Sequence, residues 1–131
     1  SYALGWFEDA EGSEGDPVDA HAAVLDDASD EDWYTFHGSD TLLGSVDPGV
    51  EFAGDVQACL YADCDAGTTE VACSEGSTPS TSATGLSGCC HESAFSMDLN
   101  CSGTVSEDAQ VYIRIDSDST ECEPYSFGFW Y

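Results

Sequence analysis

The stretch LDDASDEDWYTFHGSD, residues 25–40, sets six carboxylates around an abrupt aromatic run. Asp26, Asp27, Asp30, Glu31 and Asp32 lead straight into Trp33-Tyr34-Thr35-Phe36, and Asp40 follows. Aromatic and β-branched residues bounded by Asp, Gly and Ser read as a strand entered and left through turns. From residue 33 onward the hydrophobic period is two, which is the signature of half-buried strands. Val56, Ala58 and Leu60 alternate with Gln57, Cys59 and Tyr61, and Phe95, Met97 and Leu99 alternate with Ser96 and Asp98. Val111, Ile113 and Ile115 alternate with Tyr112 and Arg114, and Tyr125, Phe127, Phe129 and Tyr131 with Ser126, Gly128 and Trp130.

Shorter candidate strands cover 41–46 and 69–73, while VDAHAAVL (18–25) is ambiguous between a helical turn and a strand. Asp47-Pro48-Gly49, Asp65-Ala66-Gly67 and Ser102-Gly103 supply turn chemistry between them. No segment after residue 30 sustains a helical period. The expected class is all-β: an antiparallel, jelly-roll-like β-sandwich stabilised by disulfides. Residues 1–16 are expected to form an N-terminal arm or first strand, carrying Tyr2, Leu4, Trp6 and Phe7, and residues 17–131 a single sandwich domain.

Composition narrows the function. The 131 residues carry 27 acids against one base, Arg114, for a formal charge of −26. Such a field repels phosphate backbones and anionic membrane surfaces, so nucleic acid is excluded as a partner. No run approaches the ~20 apolar residues of a membrane-spanning helix. The opening SYALGWFEDAEG has neither the charged nor the apolar region of a signal peptide, which fits the processed form of a secreted protein.

Cys59, Cys64, Cys73, Cys89, Cys90, Cys101 and Cys122 read as a disulfide framework from an oxidising compartment. A zinc cluster is the alternative, but the spacings are irregular and no CxxC pair occurs. The odd count leaves one thiol free or paired with another chain, and one of the adjacent Cys89 and Cys90 is the expected orphan. The small-polar loop GSTPSTSATGLSG (76–88) lies between Cys73 and that pair, and a bridge would tie its ends.

The order of these elements resembles the bacterial pre-peptidase C-terminal (PPC) domain, in a cysteine-rich secreted form. Its acidic turn and D-W-Y/F-x-F strand are matched by Asp32-Trp33-Tyr34-Thr35-Phe36. Its L-x-L-Y-D strand is matched by Ala58-Cys59-Leu60-Tyr61-Ala62-Asp63, and its late G-T-Y-Y-I-R-V strand by residues 108–115. Tyr125-Ser126-Phe127-Gly128-Phe129 matches the closing strand. The resemblance covers residues 26–131 and implies a non-catalytic β-sandwich that accompanies secreted enzymes and in some cases binds calcium or insoluble polymers. The chain departs from the family pattern in its long Ser/Thr loop, its aromatic arm and the lack of an attached peptidase.

Calcium takes six to eight hard oxygens, and Asp26, Asp27, Asp30, Glu31 and Asp32 are the candidate ligands, with a solvated acidic turn as the bland alternative. A second acidic group, residues 116–121, reads as a solvated hairpin or a lesser cation site. Arg114 is expected to pair with a carboxylate across the sheet and act as a structural keystone. His21, His37 and His91 are scattered, and Cys90-His91-Glu92 makes a poor nucleophilic pair because strand neighbours face opposite sides. Asn100-Cys101-Ser102 matches a glycosylation sequon whose weight falls if Cys101 is bridged. Tyr2, Trp6, Trp33, Tyr34, Trp130 and Tyr131 suit sugar stacking or, more simply, core packing.

Three roles follow as expectations. The first is a non-catalytic extracellular protein with a binding or surface-display role, with calcium as its candidate stabiliser. The second is the subunit of an extracellular filament or surface layer, self-associating through the arm of Tyr2, Leu4, Trp6 and Phe7. The third is a carbohydrate- or polymer-binding accessory module of a secreted enzyme.

Overall fold

The computed structural model describes the backbone of residues 4–10, 18–25, 31–39, 47–104, 107–118 and 122–131, and side chains from Leu25 onward within those ranges. The candidate strand 41–46 and the acids Asp26, Asp27, Asp30 and Asp40 lie outside the described residues. The described elements are all strands: β1 (Leu4–Ala10), β2 (Val18–Leu25), β3 (Asp32–Gly38), β4 (Gly49–Ala53), β5 (Gln57–Cys64) and β6 (Thr68–Cys73). β7 (Thr78–Thr81), β8 (Ser87–His91), β9 (Phe95–Ser102), β10 (Ala109–Asp116) and β11 (Glu123–Trp130) follow. The ambiguous 18–25 segment is a strand, because pairing with β11 satisfies its backbone and no helical face is needed.

Two sheets form the sandwich, in the orders β1-β3-β10-β5-β8-β7 and β2-β11-β4-β9-β6. Set aside β1, β6 and β7, and the remaining orders 3-10-5-8 and 2-11-4-9 are those of an eight-stranded jelly roll. Pairing is antiparallel except at β1, which runs parallel to β3 with Leu4 opposite Trp33 and Phe7 opposite Phe36. β6 and β7 are insertions that extend the far edge of each sheet.

On β9 and β10 the core is what the alternation anticipates, whereas β5 is buried on both faces, Cys59 and Tyr61 forming a second cluster with Cys90. On β10, Ala109, Val111, Ile113 and Ile115 are buried while Gln110, Tyr112, Arg114 and Asp116 are half-buried. Facing strands interlock through rings: Phe36 stacks on Phe129 at 4.5 Å, and Tyr34 meets Phe127 at 4.6 Å. Such pairs contribute about 0.5–1.5 kcal/mol each beyond their buried area. Gly67 (φ 76°) occupies the corner where the chain leaves β5 for β6 in the other sheet, a backbone state that disfavours side chains. Gly38 lies under the Tyr131 ring, which a Cβ there would displace.

Three disulfides lock this arrangement. Cys64–Cys101 and Cys73–Cys89 each tie one sheet to the other, and Cys59–Cys90 joins neighbouring strands β5 and β8. The free cysteine is Cys122, exposed before β11, so neither Cys89 nor Cys90 is the orphan. The two do take different paths, as neighbours on a strand must. Each path meets a partner: Cys89 meets Cys73 on β6 of the opposite sheet, and Cys90 meets Cys59 directly across the ladder. The expected 76–88 loop is also more regular than its composition suggests. It makes a β7–β8 hairpin, its turn closed by Ser82, whose Oγ accepts the Leu86 N–H at 2.9 Å and whose N–H donates to the Leu86 carbonyl.

Candidate functional site

The end of the sandwich where β3 begins and β10 finishes gathers much of the described chemistry. Arg114 faces outward from β10, in register between Trp33 of β3 and Cys59 of β5. Its guanidinium carbon lies 5.9 Å from the Trp33 ring and 5.8 Å from the Tyr61 ring, within cation–π range. Its Nη2 donates to Cys59 Sγ at 3.1 Å. Nε sits 2.9 Å from Asp116 Oδ2 and 3.5 Å from Glu31 Oε2, so the guanidinium is ion-paired with both carboxylates. Arg114 thus contacts side chains of β3 and β5 as well as Asp116 of its own strand.

Asp116 continues from Arg114 into a cleft of about 430 Å³. Its walls include Asp55, Glu92, Asp116, Ser117 and Asp118, drawn from three separate turns or strand ends. Burial, the largest cause, raises the Asp116 carboxyl above its usual value; Arg114 pulls it down, and Glu31 and Asp118 push it up. Ser117 donates to the Asp55 carbonyl at 2.9 Å and fixes the cleft wall.

Asp32 does something the sequence did not suggest. It is inward-facing and 6% exposed, on the same side of β3 as Tyr34 and Phe36. Tyr125 donates its hydroxyl to Asp32 Oδ2 at 2.5 Å, and the Tyr34 and Tyr125 hydroxyls lie 2.7 Å apart. With Tyr125 committed to the carboxylate, Tyr34 is the donor to Tyr125. A carboxylate on one sheet is thereby satisfied by a tyrosine from the other. Burial first, then the bond to Asp32, drives the Tyr125 hydroxyl far above its ordinary value, and burial likewise raises Tyr34. The signal was available: Asp32 shares the alternation of Tyr34 and Phe36, and an inward acid requires a donor.

The proposed cation ligands are therefore divided. Asp32 is turned into the core, Glu31 lies beside Arg114, and Asp26, Asp27 and Asp30 are outside the described residues. Among the described residues, no group of three or more His, Cys, Asp or Glu is arranged to hold a metal ion. Of the 116–121 group, Asp116 and Asp118 line the acidic cleft.

The histidines do not converge. His37 Nε2 lies 2.6 Å from Asp65 Oδ2, His91 Nε2 lies 3.0 Å from Ser93 Oγ, and the His21 side chain is outside the described set. Cys90 is spent in a disulfide, so the Cys90-His91-Glu92 run presents no thiol. Asn100 donates to Glu70 Oε2 at 2.9 Å, and Cys101 beside it is bridged. Tyr34 and Trp130 are buried, the Trp33 ring stacks on Tyr61 at 5.9 Å, and the Tyr131 hydroxyl donates to the Glu107 carbonyl. These described aromatics are engaged in packing, while Tyr2 and Trp6 have no described side chains. Among the described residues, no helix is long and apolar enough to cross a membrane. No family model matches this chain, and no curated protein matches it.

Proposed function

We propose that this protein is a non-catalytic, secreted β-sandwich with a binding or surface-display role outside the cell, resembling PPC domains. The observation that carries the reading is the disulfide framework: two bridges between sheets and one within a sheet stabilise a jelly roll in an oxidising environment. An acid-coated, lysine-free surface adds to this, since it stays solvated in salty surroundings. Co-sedimentation of the native protein with insoluble polysaccharides and with collagen, together with its location on intact cells, tests the proposal. A protein that neither pellets with any polymer nor is found at a cell surface contradicts it.

Calcium belongs to this reading as a stabiliser, held by Asp26, Asp27, Asp30 and Glu31. Asp32 serves the core instead. A thermal shift with calcium, reversed by chelator and absent with magnesium at equal ionic strength, is the expected outcome. No shift removes calcium from the account.

A second reading is favoured by β1. This strand stands outside the eight-stranded jelly roll and joins it by parallel edge pairing with β3. An added edge strand of this kind is the means by which chains extend one another's sheets. The protein then serves as the subunit of an extracellular filament or layer, assembled through its N-terminal arm. Size-exclusion chromatography and negative-stain imaging distinguish the two readings, because monomers at every salt concentration rule out the second.

A further inference from the structure

We propose that the groove between edge strands β6 and β7 accepts the uncharged N-terminal segment, residues 1–7, of a second copy of this chain. The inference rests on the assembly reading and adds where the incoming strand seats.

The groove lies where the two sheets end side by side, β6 being outermost in one and β7 in the other. It has a volume of about 490 Å³ and is lined by residues including Val71, Cys73, Pro79, Ser80, Thr81 and Gly88. None of its walls carries a charge. That is unusual in a chain of net charge −26, and it has a sequence cause: residues 76–91, between Glu75 and Glu92, form the longest uncharged run in the molecule. The run builds β7 and β8.

The two edges differ in what they offer. Pro79 deprives β7 of a backbone donor, which guards that edge against strand addition. β6 is six residues long and contains no proline, and among the described residues it pairs with β9 alone, which leaves its other edge open for hydrogen bonding there. Its single acid, Glu70, is held by Asn100. Thr69, Val71 and Cys73 are the half-buried positions of β6, so a strand added beside them continues the sheet and drops alternate side chains toward Pro79, Ser80 and Thr81.

The occupant must be extended, uncharged and bulky at alternate positions. The chain has uncharged runs of seven or more residues at 1–7, 33–39, 56–62, 76–91, 99–106 and 124–131. The runs 33–39, 56–62, 99–106 and 124–131 include β3, β5, β9 and β11 residues of the jelly roll, and 76–91 builds the groove itself. SYALGWF remains, with Tyr2, Leu4 and Trp6 at alternate positions. Its pairing with β3 is parallel, the less stable ladder per residue, which lowers the cost of exchanging it for β6 of a neighbour. The donor strand β1 is an edge of the six-stranded sheet and the acceptor β6 is the far edge of the five-stranded one, so the contact is heterologous and builds a ring or an open filament according to the rotation between copies.

The test uses the full chain in high salt, where self-repulsion is screened. Light scattering and negative-stain imaging compare wild type with Thr81→Asp, an exposed substitution that places an acid in the groove, and with Val71→Glu. Circular dichroism and thermal melting check that each variant folds. The expected result is polymer from wild type and at least a tenfold loss of polymer from folded Thr81→Asp. Polymer formed equally by the variants overturns the groove while leaving the assembly reading intact. Monomeric wild type in all salts overturns the assembly reading. In parallel, a synthetic peptide of residues 1–7, followed by its Trp6 fluorescence, should bind wild type and lose affinity for Thr81→Asp. Absence of binding, or equal binding of a scrambled peptide, overturns residues 1–7 as the occupant.

Discussion

Three side chains, Asp32, Tyr34 and Tyr125, set the most exacting condition on the core. Removing the Tyr125 hydroxyl leaves a buried carboxylate without its cross-sheet donor. Tyr125→Phe should cost on the order of 2 kcal/mol by denaturant unfolding, whereas Tyr34→Phe, which strands no charge, should cost roughly 1 kcal/mol. Equal small losses from both would refute the charge argument. Arg114→Ala removes a guanidinium that lies against two rings and unbinds Asp116 and Glu31. Because the pair is partly solvated, a loss of about 1–2 kcal/mol is expected, and unchanged thermal unfolding contradicts the keystone role. Asp116 gives this site a pH signature. Its folded carboxyl titrates above its unfolded value, chiefly through burial, so folding gains stability as pH falls from neutral toward about 4 and loses it on the return. Asp116→Asn should flatten that part of the Tm–pH profile. An identical profile in the variant assigns the dependence to other carboxyls.

At the scale of elements, the disulfides matter because they tie together strands that are not consecutive in the chain, β5 to β8, β5 to β9 and β6 to β8. Cys73–Cys89 closes a separation of 16 residues, and its loss through Cys73→Ser with Cys89→Ser should cost roughly 3 kcal/mol on chain-entropy grounds. Cys122→Ser should leave unfolding unchanged, since the Cys122 thiol is exposed and forms no bridge. Non-reducing peptide mapping that places Cys122 in an intramolecular bridge would contradict both expectations. The strands themselves were legible wherever one face is apolar: β9 and β10 follow their alternation residue by residue, and β11 does so as far as Phe127, beyond which Gly128, Phe129 and Trp130 are all buried. β7 was not, because Thr78-Pro79-Ser80-Thr81 has no apolar face and becomes a strand only by lying against β8. Cysteine pairing was hidden for a related reason. Period two tells which face a cysteine takes, but the partner of Cys89 on β6 depends on which strands the fold brings opposite one another. The Asp32–Tyr125 bond joins residues 93 apart, a separation that strand periodicity does not reach.

For the whole molecule, the governing quantity is the net charge of −26 on a chain with a single arginine. Folding draws these carboxylates together, so self-repulsion opposes the compact state. Burial shows where this is felt: the Asp47 carboxyl is raised by desolvation first and by Asp98 second, and Asp116 is raised in spite of Arg114. Added salt shortens the Debye length from roughly 10 Å at 0.1 M to 3 Å at 1 M, and that range spans typical spacings between surface charges. Tm should therefore climb steeply with sodium chloride up to about 1 M and then level off, because closer pairs are little affected by further screening. Steady linear growth beyond that point would indicate strengthened apolar burial instead of screened repulsion. Millimolar calcium separates a third possibility from both. If it raises Tm more than magnesium does at the same ionic strength, the gain comes from a specific ion and not from the diffuse atmosphere. A Tm that does not respond to any salt would mean that the unfolded chain is as strongly repelled as the folded one, and that the acidic coat serves solubility without weakening the fold.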